Sequence, residues 1–217
     1  MNKINIFCFG FGQVAESFIK KLIEEKKNFE LSITSRQETH QIELNNLKIT
    51  SYLFNNHKYD ISIKKKLEAA NYILISIPPI NGRDVVADYF EANIKSIKNC
   101  KWITYLSATS VYGDHKGEWV NEKSITKPTS SNGISRLNAE NTWKSLTNKN
   151  NFPLQIFRLA GIYSHKSNII KRLQLGKVQI VEKKNHFFSR IHVDDIANIL
   201  LKSLNNFKSR EIYNICD

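Results

Sequence analysis

The chain is predicted to fold as an α/β protein built on a doubly wound parallel sheet, and three observations carry that prediction. Apolar runs of strand length alternate with segments of helical period along the 217 residues. The run Tyr72–Ile77 (YILISI) is continuously apolar, as expected of a strand buried on both faces. An apolar strand near the start runs into a glycine turn, Gly10-x-Gly12-x-x-Ala15, and a helix opens directly behind it.

The elements follow in order. Asn5–Phe9 reads as the first strand and Gln13–Glu25 as its helix, with Val14, Phe18, Ile19, Leu22 and Ile23 at helical spacing. Phe29–Thr34 is the second strand. A polar, poorly patterned stretch follows, with a third strand expected near Leu47–Tyr52. Ser62–Ala70 is a short helix, and Pro78-Pro79 stops the strand that begins at Tyr72. Arg83–Ile97 repeats apolar residues at helical spacing, and Trp102–Leu106 is the next strand. After a long polar loop come a helix at Ile134–Leu146 and a strand at Leu154–Phe157. Shorter pieces close the chain: a helix near Ile169–Leu175, a strand Val178–Val181, a helix Asp194–Leu204 and a strand Glu211–Ile215. These segments are expected to form one domain over residues 1–217, with 164–193 contributing a small lobe on the substrate side. The sequence stops soon after a strand, so that lobe is expected to be either minimal or truncated.

Composition removes several classes. A hydrophobic content of 41% fits a folded protein, and no apolar run approaches the ~20 residues of a membrane span. Cys8, Cys100 and Cys216 are scattered without CxxC spacing, and the six histidines show no paired spacing. A cytoplasmic location and no metal are therefore expected. The net charge of +12 is carried mainly by lysine, in a chain rich in asparagine and isoleucine, a mix that AT-rich coding produces by itself. No RNA-binding motif interleaves aromatic residues with this charge, so nucleic acid is not an expected partner.

The glycine turn points to a dinucleotide. Gly10 permits the tight bend, Gly12 lets a pyrophosphate approach the backbone, and Ala15 lets helix and strand pack closely. The helix N-terminus presents N–H groups and a partial positive charge, which makes Gly10, Gly12, Gln13 and Val14 the expected diphosphate contacts. The second strand runs into Thr34-Ser35-Arg36, with no acid before Glu38. Hydroxyls and a guanidinium suit a 2′-phosphate, so Ser35 and Arg36 predict NADP, with NAD as the alternative.

Four later segments sharpen this reading: LSATSVYGD at 106–114, RLAGIY at 158–163, SRIHVDDIA at 189–197 and the terminal IYNICD. In this order, behind the glycine turn, they resemble the extended short-chain dehydrogenases/reductases. Within these the chain is most similar to atypical members of the NAD-dependent epimerase/dehydratase group. The resemblance implies a Rossmann-type sheet, further cofactor contacts at Ser76, Pro78, Arg136 and Ala160, and a homodimer paired through the helices at Arg83–Ile97 and Ile134–Leu146. Such proteins use a YxxxK pair and an upstream Ser or Thr to move a proton while the nicotinamide moves a hydride. Anchoring the helix on Ala139-Glu140 puts Asn132 at the tyrosine position and Arg136 at the lysine position, and Ala108 stands at the hydroxyl position. Asparagine cannot shuttle a proton, and arginine stays charged.

Ser107 and Thr109 remain as hydroxyls able to donate to a substrate oxygen, and Ser107, Thr109, Asn132 and Arg136 form the candidate catalytic set. Tyr112 is expected to pack and bond locally. His192 is expected to lock a strand-to-helix corner, with Asp194 as the helix N-cap and Asp195 in the first turn. Lys171, Arg172 and Arg190 could take an anionic group. The expected function is an NAD(P)-binding oxidoreductase or epimerase/dehydratase-like protein acting on a small carbonyl, hydroxyl or sugar-nucleotide substrate. The alternative is a non-catalytic NADP(H)-binding redox sensor.

Overall fold

A computed structural model describes residues 3–55, 57–178 and 187–217. Ten strands and six helices occur among them, in the order β1 (Ile4–Phe9), α1 (Gln13–Glu24), β2 (Phe29–Ser35), β3 (His40–Leu44), β4 (Leu47–Leu53), α2 (Ser62–Glu68), β5 (Tyr72–Ile75), α3 (Val85–Lys95), β6 (Trp102–Ala108), α4 (Ser131–Asn150), β7 (Leu154–Leu159), β8 (Gly161–Tyr163), α5 (Ile169–Gln174), β9 (Arg190–His192), α6 (Val193–Asn205) and β10 (Ile212–Ile215). The main sheet has eight strands in the order β10-β7-β6-β5-β1-β2-β4-β3. Its pairings are parallel except β3 with β4. From β1 the chain builds outward through β2 and β4, then crosses back to lay β5 on the other side of β1. The strand order reverses there, and in such sheets the crevice for a ligand opens at the carboxyl ends of the two strands flanking the reversal.

The central strands are apolar because both faces are covered. Every residue of β7 is buried, and the helices divide between the two faces. On one face α1 and α6 lie together over Ile6, Cys8, Ile33 and Leu74. On the other α2, α3 and α4 cover Phe7, Phe9, Ile75 and Tyr105. Phe18, Ile19 and Leu22 of α1 are fully buried, each side chain supplying about 1.5–3 kcal/mol.

Three departures from the sequence reading have physical causes. The polar stretch after β2 contains strand β3, which pairs Ile42 with Ile49 and Leu44 with Leu47. Asn45 and Asn46 turn the hairpin, both with positive φ (48° and 65°), the conformation a two-residue turn demands. Strands β8 and β9 form a separate two-stranded parallel sheet, each too short to show a period of two. Helix α6 begins one residue earlier than expected, so its N-cap is His192 rather than Asp194. The ring Nδ1 of His192 accepts from the Asp194 N–H at 3.3 Å, and both aspartates fall in the first turn. The strand expected at Val178–Val181 lies, beyond its first residue, outside the described residues.

Candidate functional site

The reversal between β1 and β5 places the glycine turn at the carboxyl edge. Gly10 has φ +85°, and a Cβ there would come within 2.9 Å of Ile77 Cγ1 and 3.0 Å of Ser76 Oγ, so both the backbone and the space require glycine. Neighbouring strands hold the bend from either side. Thr34 Oγ1 on β2 accepts from the Gly10 N–H at 2.9 Å, and Ser76 Oγ beyond β5 donates toward the carbonyls of Phe9 and Gly10 at 3.1 and 3.2 Å.

Gly12 differs in kind. Its φ of −83° suits any residue, and a Cβ added there would meet nothing within 4 Å. Neither strain nor internal packing asks for glycine at this position. What the missing side chain leaves is open space in front of the α1 N-terminus, which no side chain caps. Gly12 and Gln13 are exposed while Val14 and Ala15 are buried, so the first N–H groups of α1 face that space. A diphosphate fits such a cradle, because it supplies the negative charge and acceptors the helix end lacks.

The predicted cofactor residues lie along the same edge. Ser35 ends β2, and its buried Oγ has no hydrogen-bond partner among the described residues. Arg36 follows it, exposed and without an ion-pair partner among the described residues. Pro78 is exposed just past β5. Ala160 lies past β7, buried, with its N–H donated to the Ile215 carbonyl at 3.0 Å.

The predicted catalytic residues separate into two groups. The Ser107 side chain points inward: it is buried and donates to Glu140 Oε1 at 2.6 Å. Glu140, fully buried on α4, also receives Arg158 of β7 through Nε at 3.0 Å and Nη2 at 2.7 Å. Arg158 Nη1 donates to the Tyr112 hydroxyl at 2.8 Å, and Tyr112 donates to Asn214 Oδ1 at 2.6 Å. Tyr112 therefore packs and bonds locally, as expected. Burial by itself would push the Glu140 carboxyl up, but the hydrogen bonds from Arg158 and Ser107 and the nearby charges outweigh it and hold the group below its usual range. Ser107, Glu140, Arg158 and Tyr112 make one network joining β6, α4, β7 and β10.

Thr109, Asn132 and Arg136 stay nearer the surface. Thr109 is half-buried at the end of β6, and its hydroxyl makes no hydrogen bond among the described residues. Asn132 is exposed in the first turn of α4. Arg136 is half-buried, and its Nη1 donates to the Leu106 carbonyl at 2.6 Å. Ser164, just past β8, reaches the glycine turn: its Oγ donates to Gln13 Oε1 at 3.1 Å. That contact, and the Thr34 contact to Gly10, had no sequence signal, because each joins segments far apart in the chain. Among the described residues no three His, Cys, Asp or Glu side chains are grouped to hold a metal. No helix among them is long and apolar enough to cross a membrane.

The model of the NAD dependent epimerase/dehydratase family matches residues 81–216, more than half of the chain. The chain belongs to this family. The match begins downstream of the glycine turn, so family membership and the turn geometry are separate observations. Among solved structures, a functionally unknown conserved protein from Silicibacter pomeroyi DSS is 29% identical, with a TM-score of 0.81 over 100% of this chain and 73% of that one. UDP-glucuronic acid 4-epimerase from Bacillus cereus in complex with NAD is 15% identical, with a TM-score of 0.76 over 99% of this chain and 78% of that one. UDP-N-acetylglucosamine 4-epimerase from Bacillus cereus is also 15% identical, with a TM-score of 0.73 over 100% and 76%. At 15% the likeness is one of fold. No curated protein matches the chain. Membership in the epimerase/dehydratase family supports a general NAD(P)-binding, epimerase-like role.

Proposed function

We propose that the chain binds NADP(H) at the carboxyl edge of the sheet, with the diphosphate over the Gly10–Gly12 turn. It then acts on a small carbonyl, hydroxyl or sugar-nucleotide compound as an oxidoreductase or epimerase/dehydratase-like protein. The observation that carries this is Gly12, a glycine with ordinary φ, open space where its Cβ would stand and an uncapped helix behind it. Gly10, Gly12, Gln13 and Val14 would hold the diphosphate, and the exposed Arg36 the adenosine 2′-phosphate, with Ser35, its hydroxyl buried, behind it. Ser76 supports the turn from beneath. Pro78, Arg136 and Ala160 border the nicotinamide half. The cofactor, when bound, supplies a hydride donor or acceptor. Thr109 then holds a substrate oxygen through its uncommitted hydroxyl, and Arg136 clamps a ribose or phosphate without giving up its proton. The described residues 164–178 and 187–193 would form the substrate side, and α3 with α4 would pair two chains.

A second reading is favoured by one observation: Ser107 is committed to Glu140, and neither Asn132 nor Arg136 can move a proton. The chain would then hold the dinucleotide without turnover, as a redox sensor. NADPH oxidation against a panel of carbonyl compounds, run beside a binding titration, separates the two. Binding with turnover supports the enzyme, binding without it the sensor, and no binding contradicts both. The triple replacement Ala108→Ser, Asn132→Tyr and Arg136→Lys should raise turnover if the pocket is otherwise competent.

A further inference from the structure

Asn-Gly occurs twice in the chain, at Asn81-Gly82 and at Asn132-Gly133, and the structure puts the two pairs in opposite settings. Asn81-Gly82 forms a two-residue turn between Pro79 and α3, with both residues exposed and φ of 50° and 78°. The turn is closed by one pair, Ile80 with Arg83, which exchange N–H···O bonds of 2.9 and 3.0 Å. The Gly82 N–H and the Asn81 carboxamide make no hydrogen bond among the described residues. A Cβ on Gly82 would meet Ser135 Oγ at 4.0 Å and nothing closer, so the glycine is not crowded.

Asn132-Gly133 lies in the first turn of α4. Gly133 is buried, and its N–H donates to Oγ of the N-cap Ser130 at 3.1 Å. A Cβ there would come within 2.5 Å of the Ser110 carbonyl oxygen and 2.9 Å of Pro128 Cβ. This glycine nitrogen is committed, and its peptide is wedged against two neighbouring segments.

An Asn-Gly pair carries its own reaction. The glycine nitrogen gives up its proton and attacks the asparagine Cγ. The new C–N bond closes a succinimide ring, and the carboxamide nitrogen leaves as ammonia, taking that proton. Water then opens the ring at either carbonyl and leaves aspartate or isoaspartate, in which the main chain runs through Cβ. Nothing is oxidised or reduced. Glycine favours the attack because no Cβ shields its nitrogen. The backbone between the two residues must also rotate, which an exposed turn allows at little cost and a packed helix end resists.

We propose that Asn81 is a spontaneous deamidation site of the folded protein, that Asn132 is not, and that isoaspartate at position 81 opens the turn ahead of α3. The extra backbone atom spoils the spacing across which Ile80 and Arg83 pair. That pair stands directly before Asp84, whose carboxylate accepts from the Ala87 N–H at 2.9 Å to cap α3 and from Trp143 Nε1 of α4 at 3.0 Å. The inference rests on this turn and not on the cofactor reading.

The test incubates the full chain, folded and in denaturant, in mildly alkaline buffer. Tryptic peptide mapping follows both sites, which fall in separate peptides ending at Arg83 and Arg136, and enzymatic carboxyl methylation reads isoaspartate. In the folded chain Asn81 should convert at least about tenfold faster than Asn132, and in denaturant the two rates should converge. Asn81→Gln should abolish the isoaspartate signal of the folded chain. In the converted chain the Arg83 amide should lose its protection from hydrogen exchange. Asn132 converting as fast as Asn81 in the folded chain, or Asn81 staying intact there while it converts in denaturant, overturns the site. A difference between the two that persists in denaturant traces to their sequence neighbours and overturns the structural cause. An Arg83 amide still protected in the converted chain overturns the opened turn.

Discussion

Gly10 and Gly12 are two residues apart in one motif, yet they answer to different forces, and substitution separates them. Alanine at Gly10 must adopt φ near +85° and crowd Ile77 and Ser76, so it should destabilise the fold by about 1–2 kcal/mol or more. Alanine at Gly12 meets no protein atom and loses only a modest N-cap preference, under about 1 kcal/mol. Its effect should fall on the ligand: NADPH affinity is expected to drop about tenfold or more while the unfolding midpoint barely moves. Thermal melts and titrations of the two variants check both halves. At the end of β2, Arg36→Glu should weaken NADPH far more than NADH, because it replaces the proposed 2′-phosphate partner with a like charge. Equal losses for the two cofactors would remove the NADP assignment.

Among the elements, α4 is tied to the sheet by the buried group of Glu140, Arg158, Ser107 and Tyr112. Removing the carboxylate charge with Glu140→Gln leaves the Arg158 cation buried with a neutral partner, which should cost about 3–5 kcal/mol. The pH dependence has a definite sign. The folded protein holds the Glu140 carboxyl below its ordinary value of 4.5, so the pair's stabilisation is complete above about that pH and is lost as pH falls through the lower folded value. Denaturant melts between pH 6 and pH 3, taken as a range of the order set by carboxylate titration, should show a steeper acid loss in the wild type than in Glu140→Gln. Parallel slopes would mean that the network adds nothing to acid stability.

At this scale the legibility of the sequence also divides. Strands β1, β5, β6 and β7 were readable because burial on both faces leaves a plain apolar run. Strand β3 was not, because it is five residues long with only two apolar side chains and Asn45-Asn46 lacks the glycine that usually marks such a turn. Strands β8 and β9, at three residues each, carry no periodicity to read.

For the whole molecule, the topology makes one edge of the sheet the meeting place of residues scattered from Gly10 to Ala160. The glycine-turn half of the candidate site was legible as geometry, because strand, turn and helix are contiguous in sequence. The other half was legible only by position along the chain. That Ser107 faces inward to Glu140 depends on how α4 packs against β6, which no local pattern encodes.

The central claim is that the Gly10–Gly12 turn cradles a dinucleotide diphosphate at the reversal of the strand order. Isothermal titration of the folded chain with NADPH tests it most directly. One saturable site per chain, strongly weakened by Gly12→Ala without loss of fold, is the predicted result. A well-folded protein that takes up neither NADPH nor any other adenine dinucleotide would contradict it.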